Sequence, residues 1–394
     1  MVLANNPSIQ QALRKWNAAK ARVTQEGAWE DLRVSGTSRA ARFVDVVPNA
    51  FADQIVSIEQ AVPITGKNLL RARASAADAV AIYEQARREQ LDVLARARAS
   101  YFRLANAHAQ LQLNQKNLVS LRQIAEVSRS RYEVGKANAA EPLAGEVEAS
   151  KLLESEQDIL RNISSEQSQL NVLMNRDAFE AIGRPEETRI NALNLSLEQA
   201  RSLALANRPE IKIAQAKIDM EKSRLELSRR NWIPDPAVTV QAQRYNDSRQ
   251  AASELDAGVS FTVPWINPRK YSAAVREAKE NLAAAEHAFD RTNAESLGQL
   301  RDALQKVHTA KHHVDLFRDK LVPQARQAFE ANQLAYETGT ASFLEWITAQ
   351  RNARDLEAMG QQHVADYHAA LAELEAVVGA DLGLFPSTKA KEIK

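Results

Sequence analysis

Seven histidines are the first places in this 394-residue chain where side-chain chemistry could be looked for. His308 and His312 stand four residues apart with His313 and Asp315 beside them, and His363, Asp366 and His368 form a second group. Two imidazoles four apart on a helix share one face and can ligate a transition metal. Both groups, however, lie in polar helical stretches without a His-Glu-x-x-His arrangement, so they read as solvated coiled-coil histidines. No metal site and no cofactor is expected. Cysteine is absent, which removes disulfides, thiolate ligands and cysteine nucleophiles together. A search for a nucleophile elbow, a phosphate loop or a dinucleotide fingerprint finds none, and no enzyme activity is expected.

The composition narrows the class further. Lys and Arg number 51 against 50 Asp and Glu, a net charge of +1 that argues against a nucleic-acid partner. With 45% hydrophobic residues the chain is not disordered. Glycine and proline number 12 each, about 3% apiece, where soluble proteins average roughly 7% and 5%. Such a chain is mostly helix. No run of eighteen apolar residues occurs, so no transmembrane helix is expected, and Met1 to Pro7 lacks a basic segment followed by an apolar one.

The chain matches itself. Asn5-Asn6-Pro7-Ser8-Ile9 corresponds to Asn207-Arg208-Pro209-Glu210-Ile211, and Trp29 to Trp232. Val62-Pro63 corresponds to Val263-Pro264, and Tyr132-Glu133-Val134-Gly135 to Tyr336-Glu337-Thr338-Gly339. The offsets are 202, 203, 201 and 204 residues, in order. The repeat predicts a first copy over residues 1–190 and a second over 191–383, followed by a polar tail at 384–394. Leu195 to Ala206 forms a capped amphipathic helix before the second Asn-x-Pro landmark, and its counterpart is missing ahead of Asn5. The sequence is therefore expected to begin inside the first copy, with a targeting segment upstream.

Each copy reads as a helix, two strands, a very long helix, a tight turn and a returning helix. In the second copy, Glu210 to Arg230 has helical periodicity until Trp232-Ile233-Pro234-Asp235-Pro236. The period then becomes two: Val238, Val240 and Ala242 alternate with Thr239, Gln241 and Gln243, and Val259, Phe261, Val263 and Trp265 with Gly258, Ser260 and Thr262. This places strands within about 237–265 and a helical hairpin at about 270–380. In the first copy, strands are expected within about 29–64, with candidates at Leu32–Val34, Phe43–Val47 and Val56–Ile64, and a hairpin at about 67–176. Residues 68–131 contain neither proline nor glycine, and at ~1.5 Å per residue would span roughly 95 Å as one helix. A narrow stripe of Leu104, Leu111, Leu118, Leu121 and Ile124 suits an extended coiled coil, and the partner helix over 270–336 is interrupted by Gly298 and Pro323.

Amphipathic strands of about ten residues have the length that crosses a bilayer when tilted. Four cannot close a barrel, and an open sheet in lipid leaves edge groups unpaired at several kcal/mol each. Three chains would supply twelve strands around a Ser/Thr/Gln-lined lumen, continued by twelve long helices. The paired Tyr-Glu-x-Gly turns, the Val-Pro steps, the Leu-Glu-Gln-Ala helix before Asn207-Arg208-Pro209-Glu210 and the two-copy layout resemble the TolC-like outer membrane efflux family, from Asn5 to about Leu382. The fold class expected is mostly α with a small β part: two tandem repeats whose helical hairpins form a coiled-coil tunnel, and four strands per chain joining a trimeric 12-stranded transmembrane barrel.

The resemblance implies an outer membrane channel of a Gram-negative bacterium, with its helices in the periplasm. Its implied partners are two further copies, outer membrane lipid, a periplasmic adaptor and an inner membrane pump. Export of small solutes or metal cations is the leading reading. A type I protein secretion channel and a soluble coiled-coil scaffold are the alternatives. The resemblance also assigns residues. Val134, Gly135, Lys136, Thr338, Gly339 and Thr340 would meet the adaptor at the hairpin tips. Glu141 and Glu345, six residues past the turn glycines, would ring a periplasmic gate, with Thr348 where relatives carry a second acid. Pro63 and Pro264 would mark the junction of barrel and helices, and Trp29, Trp232 and Trp265 fall at strand boundaries where an indole suits the headgroup region.

Overall fold

A computed structural model describes residues 1–39, 54–185, 190, 193, 195–245 and 249–385. Two short helices open the chain, α1 (Val2–Asn5) and α2 (Pro7–Gly27), followed by strands β1 (Arg33–Ser38) and β2 (Gln54–Ala61). Next come α3 (Lys67–Glu133), α4 (Ala140–Leu173), α5 (Leu197–Asn207) and α6 (Pro209–Arg230). Strands β3 (Pro236–Arg244) and β4 (Glu254–Phe261) precede α7 (Pro268–Leu316), a π-helical turn (Phe317–Leu321), α8 (Val322–Thr338) and α9 (Phe343–Val378). The chain divides into two compact units: Met1–Gln11, Ala86–Pro209 and Asn293–Lys394 form one, and Ala12–Gln85 with Glu210–Thr292 forms the other.

The second unit carries a four-stranded antiparallel sheet in the order β1-β2-β3-β4. Its register sorts the residues by chemistry. Val34 pairs with Ile58, Ile58 with Val240 and Val240 with Ala257, while Val238 pairs with Val259 and Pro236 with Phe261. These share one face, because successive side chains in a strand alternate. The other face holds Ser35 and Ser57, whose hydroxyls lie 2.7 Å apart, together with Thr239, Gln241 and Ser260. Where strand meets helix, the Asp235 carboxylate accepts from the Thr65 amide at 3.0 Å and its hydroxyl at 2.6 Å, and pairs with Lys67 at 3.1 Å. Trp16 and Tyr83 pack their rings 4.9 Å apart among the helices of the same unit.

Two strand limits differ from expectation. Strand β4 runs from Glu254 to Phe261 instead of 257–265, because Pro264 starts a 3-10 turn through Ile266 that takes Trp265 out of the sheet. Strand β2 ends at Ala61, and Ile64 is exposed in the turn after Pro63. The Phe43–Val47 candidate and residues 386–394 of the tail lie outside the described residues.

The first unit is helical. Its largest core sets Ala200 and Ala204 of α5 against Leu300 and Val307 of α7 and Leu371 and Leu374 of α9. Helix α3 runs unbroken for 67 residues, as a stretch without proline or glycine should. On the partner side Gly298 does not interrupt α7, since it faces open space and loses no contact there. Pro323 does leave a mark, because its missing N–H and its ring disfavour a regular turn with the carbonyl four residues earlier, and the π-turn stands there. Helix α9 ends on Gly379 with φ 77°, and Asn175 takes the same left-handed form, φ 55°, after α4. A Cβ at Gly379 would lie 3.0 Å from the Arg208 Cα, so this close approach admits only glycine.

Candidate functional site

The two hairpin turns and the ground between them carry a cluster of polar and aromatic contacts in the helical unit. Gly135 and Gly339 are both left-handed, φ 71° and 81°, as a helix-closing residue must be. Each turn is held by a backbone bond across it, Gly135 N to Tyr132 O at 2.9 Å and Gly339 N to Tyr336 O at 3.0 Å. Val134 is 68% exposed, and Lys136, Thr338 and Thr340 are exposed as well. Thr338 and Thr340 are tied into their own turn, both accepted by the Ala335 carbonyl, at 3.1 and 3.0 Å.

The two tyrosines of the repeated motif differ completely. Tyr132 is 48% exposed, whereas Tyr336 is 3% exposed within a cluster containing Leu121, Ile124, Phe343, Trp346 and Ile347. Its ring stacks on Trp346 at 4.9 Å and lies under the Arg131 guanidinium at 4.6 Å. Arg131 also donates to the carbonyls of Tyr336 and Glu337. The Tyr336 hydroxyl donates to the Glu141 carboxylate at 2.7 Å and approaches Ser128 Oγ at 3.4 Å. Residues of α3, α4 and α8 thus meet at one hydroxyl, and the two hairpin turns are bonded together. Burial pushes the Tyr336 phenol up, and the Glu141 carboxylate adds to that.

The gate candidates are engaged locally. Glu141 accepts from the Asn138 amide at 3.2 Å as well as from Tyr336. Glu345 closes a capping box with Ser342, accepting from its amide at 2.7 Å, and that bond holds its carboxyl below the usual range. Further from the turns, the buried Glu148 carboxylate receives Lys151 at 2.6 Å and Arg351 at 2.7 Å, joining α4 to α9. Burial pushes that carboxyl up, but the two cations outweigh it and leave it below the ordinary range. Sequence reasoning missed Tyr336, Arg131, Ser128 and Glu148. One signal was available: the residue ten beyond Tyr336 is Trp346, an aromatic partner, while the residue ten beyond Tyr132 is Pro142.

The remaining sequence candidates are spread apart. Trp29 and Trp265 are 59% and 56% exposed, and Trp232 packs on Tyr271 at 5.5 Å. Pro264 is buried, and the Pro63 carbonyl accepts from Gly66 at 3.2 Å. His368 is buried, stacked 4.3 Å from Phe102, which departs from the solvated reading. His313 and His363 come within 4.9 Å of one another on different helices. Among the described residues, no group of three or more His, Asp or Glu is arranged to hold a metal ion, and no helix is long and apolar enough to cross a membrane.

Residues 200–380 match the family model described as outer membrane efflux protein. This stretch, somewhat less than half of the chain, is similar to that family. Curated relatives of the chain include the nickel and cobalt resistance protein CnrC of Cupriavidus metallidurans, 27% identical over 107 residues, which is 27% of the chain. The cobalt-zinc-cadmium resistance protein CzcC of the same organism is 22% identical over 166 residues, 41% of the chain. These alignments span 25% and 39% of the two relatives' own lengths. The fold is similar over more of the chain. A membrane protein from Pseudomonas aeruginosa superposes with a TM-score of 0.84 at 20% identity, covering 96% of this chain and 92% of that one. The outer membrane protein VceC of Vibrio cholerae gives 0.82 at 16% identity, with 96% and 94% covered.

Proposed function

We propose that this chain is the outer membrane channel of a tripartite efflux system, a passive trimeric conduit from the periplasm to the exterior. The observation that carries the reading is the two-faced sheet. Its apolar face is exposed in the single chain, with Val238 41%, Val259 66% and Phe261 58% accessible, and β1 and β4 are its outer strands. A soluble scaffold would bury that face within itself. Three copies pooling four strands each would make a twelve-stranded barrel with the apolar face toward lipid and the Ser/Thr/Gln face toward water.

Each copy of the repeat, 1–190 and 191–383, then supplies two strands and one helical hairpin. The turns around Gly135 and Gly339 face the periplasmic adaptor, and an inner membrane pump supplies the energy. The metal-resistance names of CnrC and CzcC favour divalent transition-metal cations among the exported solutes. The Tyr336–Glu141 bond holds the periplasmic end narrow by tying the hairpin turns together. Detergent-solubilised full chain should have the mass of a trimer and conduct ions in planar bilayers. A monomer without conductance overturns the proposal.

A further inference from the structure

The two copies of the repeat differ in the middle of their long helices. Helix α3 is regular throughout, while its counterpart widens into the π-turn Phe317–Leu321 between α7 and α8. Helix α9 approaches that turn through Gly360, where a Cβ would lie 3.5 Å from Val322 Cγ2 and 3.7 Å from Phe317 Cβ. One helical turn along, His363 sits edge-on to Phe317 at 4.6 Å and faces His313 of α7 at 4.9 Å. Both histidines line a cavity of about 1100 Å³ between α3, α7 and α9. Isolated π-turns inside α-helices are frequent at functional sites and at bends in helices.

The charges facing this pair are engaged elsewhere. On α3, Arg88 pairs with Asp92 and Arg96 with Glu89. On α7, Lys306 pairs with Asp302 and with Glu373 of α9, while Lys311 and Arg318 share Asp315, and Arg318 also holds Asp319. His312 lies 6.2 Å from His313. That leaves Asp366, 3.8 Å from His363 Nδ1 and accepting from Gln362 at 2.8 Å, as the carboxylate paired with His363.

We propose that His313, His363 and the π-turn form an acid-responsive hinge, in which protonation of His363 against His313 parts α7 and α8 from α9 at Gly360. Burial lowers the affinity of His363 for a proton, the charge of His313 lowers it further, and Asp366 opposes both. The sign follows. The closed arrangement binds fewer protons than one in which His363 is hydrated, so it is favoured above the ordinary imidazole value of ~6.5 and weakens as pH falls below it. The hinge belongs to the single chain and does not depend on the channel reading.

The absence of cysteine makes the test direct, because Gln324→Cys on α8 and Asp355→Cys on α9 give two exposed labelling sites in an otherwise thiol-free protein. Electron–electron distance measurements on the full chain are made at about pH 7.5 and about pH 5, either side of the imidazole value. The distance should lengthen at the lower pH by at least the ~1–2 Å of an interfacial helix shift. His363→Gln and His313→Gln should each remove the pH response, and His363→Lys should give the longer distance already at the higher pH. A distance that does not change with pH, or a change that survives in both glutamine variants, overturns the hinge.

Discussion

Removing a single oxygen from Tyr336 should loosen the hairpin turns. Tyr336→Phe keeps the ring, its stack on Trp346 and its place beneath Arg131, because those contacts use only the aromatic face. What is lost is the bond of 2.7 Å to the Glu141 carboxylate and the longer approach to Ser128, whose hydroxyl still donates to the Ile124 carbonyl at 2.9 Å. A hydrogen bond to a charged acceptor contributes ~1.5–3 kcal/mol. Glu141 is half-buried and regains water when released, so the lower part of that range applies. An equilibrium between tied and untied turns should therefore shift by roughly tenfold per chain, since 1.4 kcal/mol is a factor of ten. In single-channel recordings the variant should show a higher open probability than the parent. Tyr132→Phe is the control: its side chain is exposed, and the change should leave the recordings as they were. Equal behaviour of the two variants, or no effect of Tyr336→Phe, would refute the assignment of the tie to this hydroxyl.

Two further predictions concern stability. Gly379→Ala combines a left-handed φ of 77° with a Cβ 3.0 Å from Arg208 Cα, so thermal unfolding should reveal a loss of about 2–4 kcal/mol. Gly135→Ala, left-handed at 71° but facing open space, should lose only ~1–2 kcal/mol, and equal losses would contradict the steric account. Burial lowers the His368 imidazole to about 4, so stability is intact above the ordinary value and declines as pH falls from there toward 4. Denaturant titrations at about pH 7.5 and about pH 4.5 should differ by ~2–3 kcal/mol more in the parent than in His368→Phe, and equal differences would show that the imidazole is not the source.

The helices were legible because length and composition alone dictate them: a stretch of 64 residues free of proline and glycine, 68–131, has no place to break. The strands were legible as a change of period, but not their ends. Alternation at Val259, Phe261, Val263 and Trp265 continues past the sheet, which ends at the Pro236–Phe261 pair beside the proline-bearing turns of both segments. His368 was misread for a related reason. Its immediate neighbours in sequence are Tyr367 and Ala369, and Phe102, distant along the chain, supplies the flat apolar surface against which it stacks. Local pattern reports the face of an element and not what a remote element places on it.

The turn region shows the same limit within one motif. Tyr-Glu-x-Gly recurs in both copies and closes both helices identically, because a left-handed glycine is a demand of the backbone that duplication preserves. Burial of the tyrosine is a demand of the neighbours, and these diverged. Trp346 and Phe343 of α9 cover Tyr336, whereas Pro142 of α4 and its N-cap Ala139 stand at the matching positions and leave Tyr132 in solvent. Identical residues on equivalent scaffolds can thus have different roles, one merely part of a turn and the other a bond between turns. The tie also had to form between the copies to be of use. A bond within one hairpin would stabilise its turn and constrain nothing else, whereas Tyr336 of the second copy reaching Glu141 of the first makes the spacing of the two turns depend on one hydroxyl.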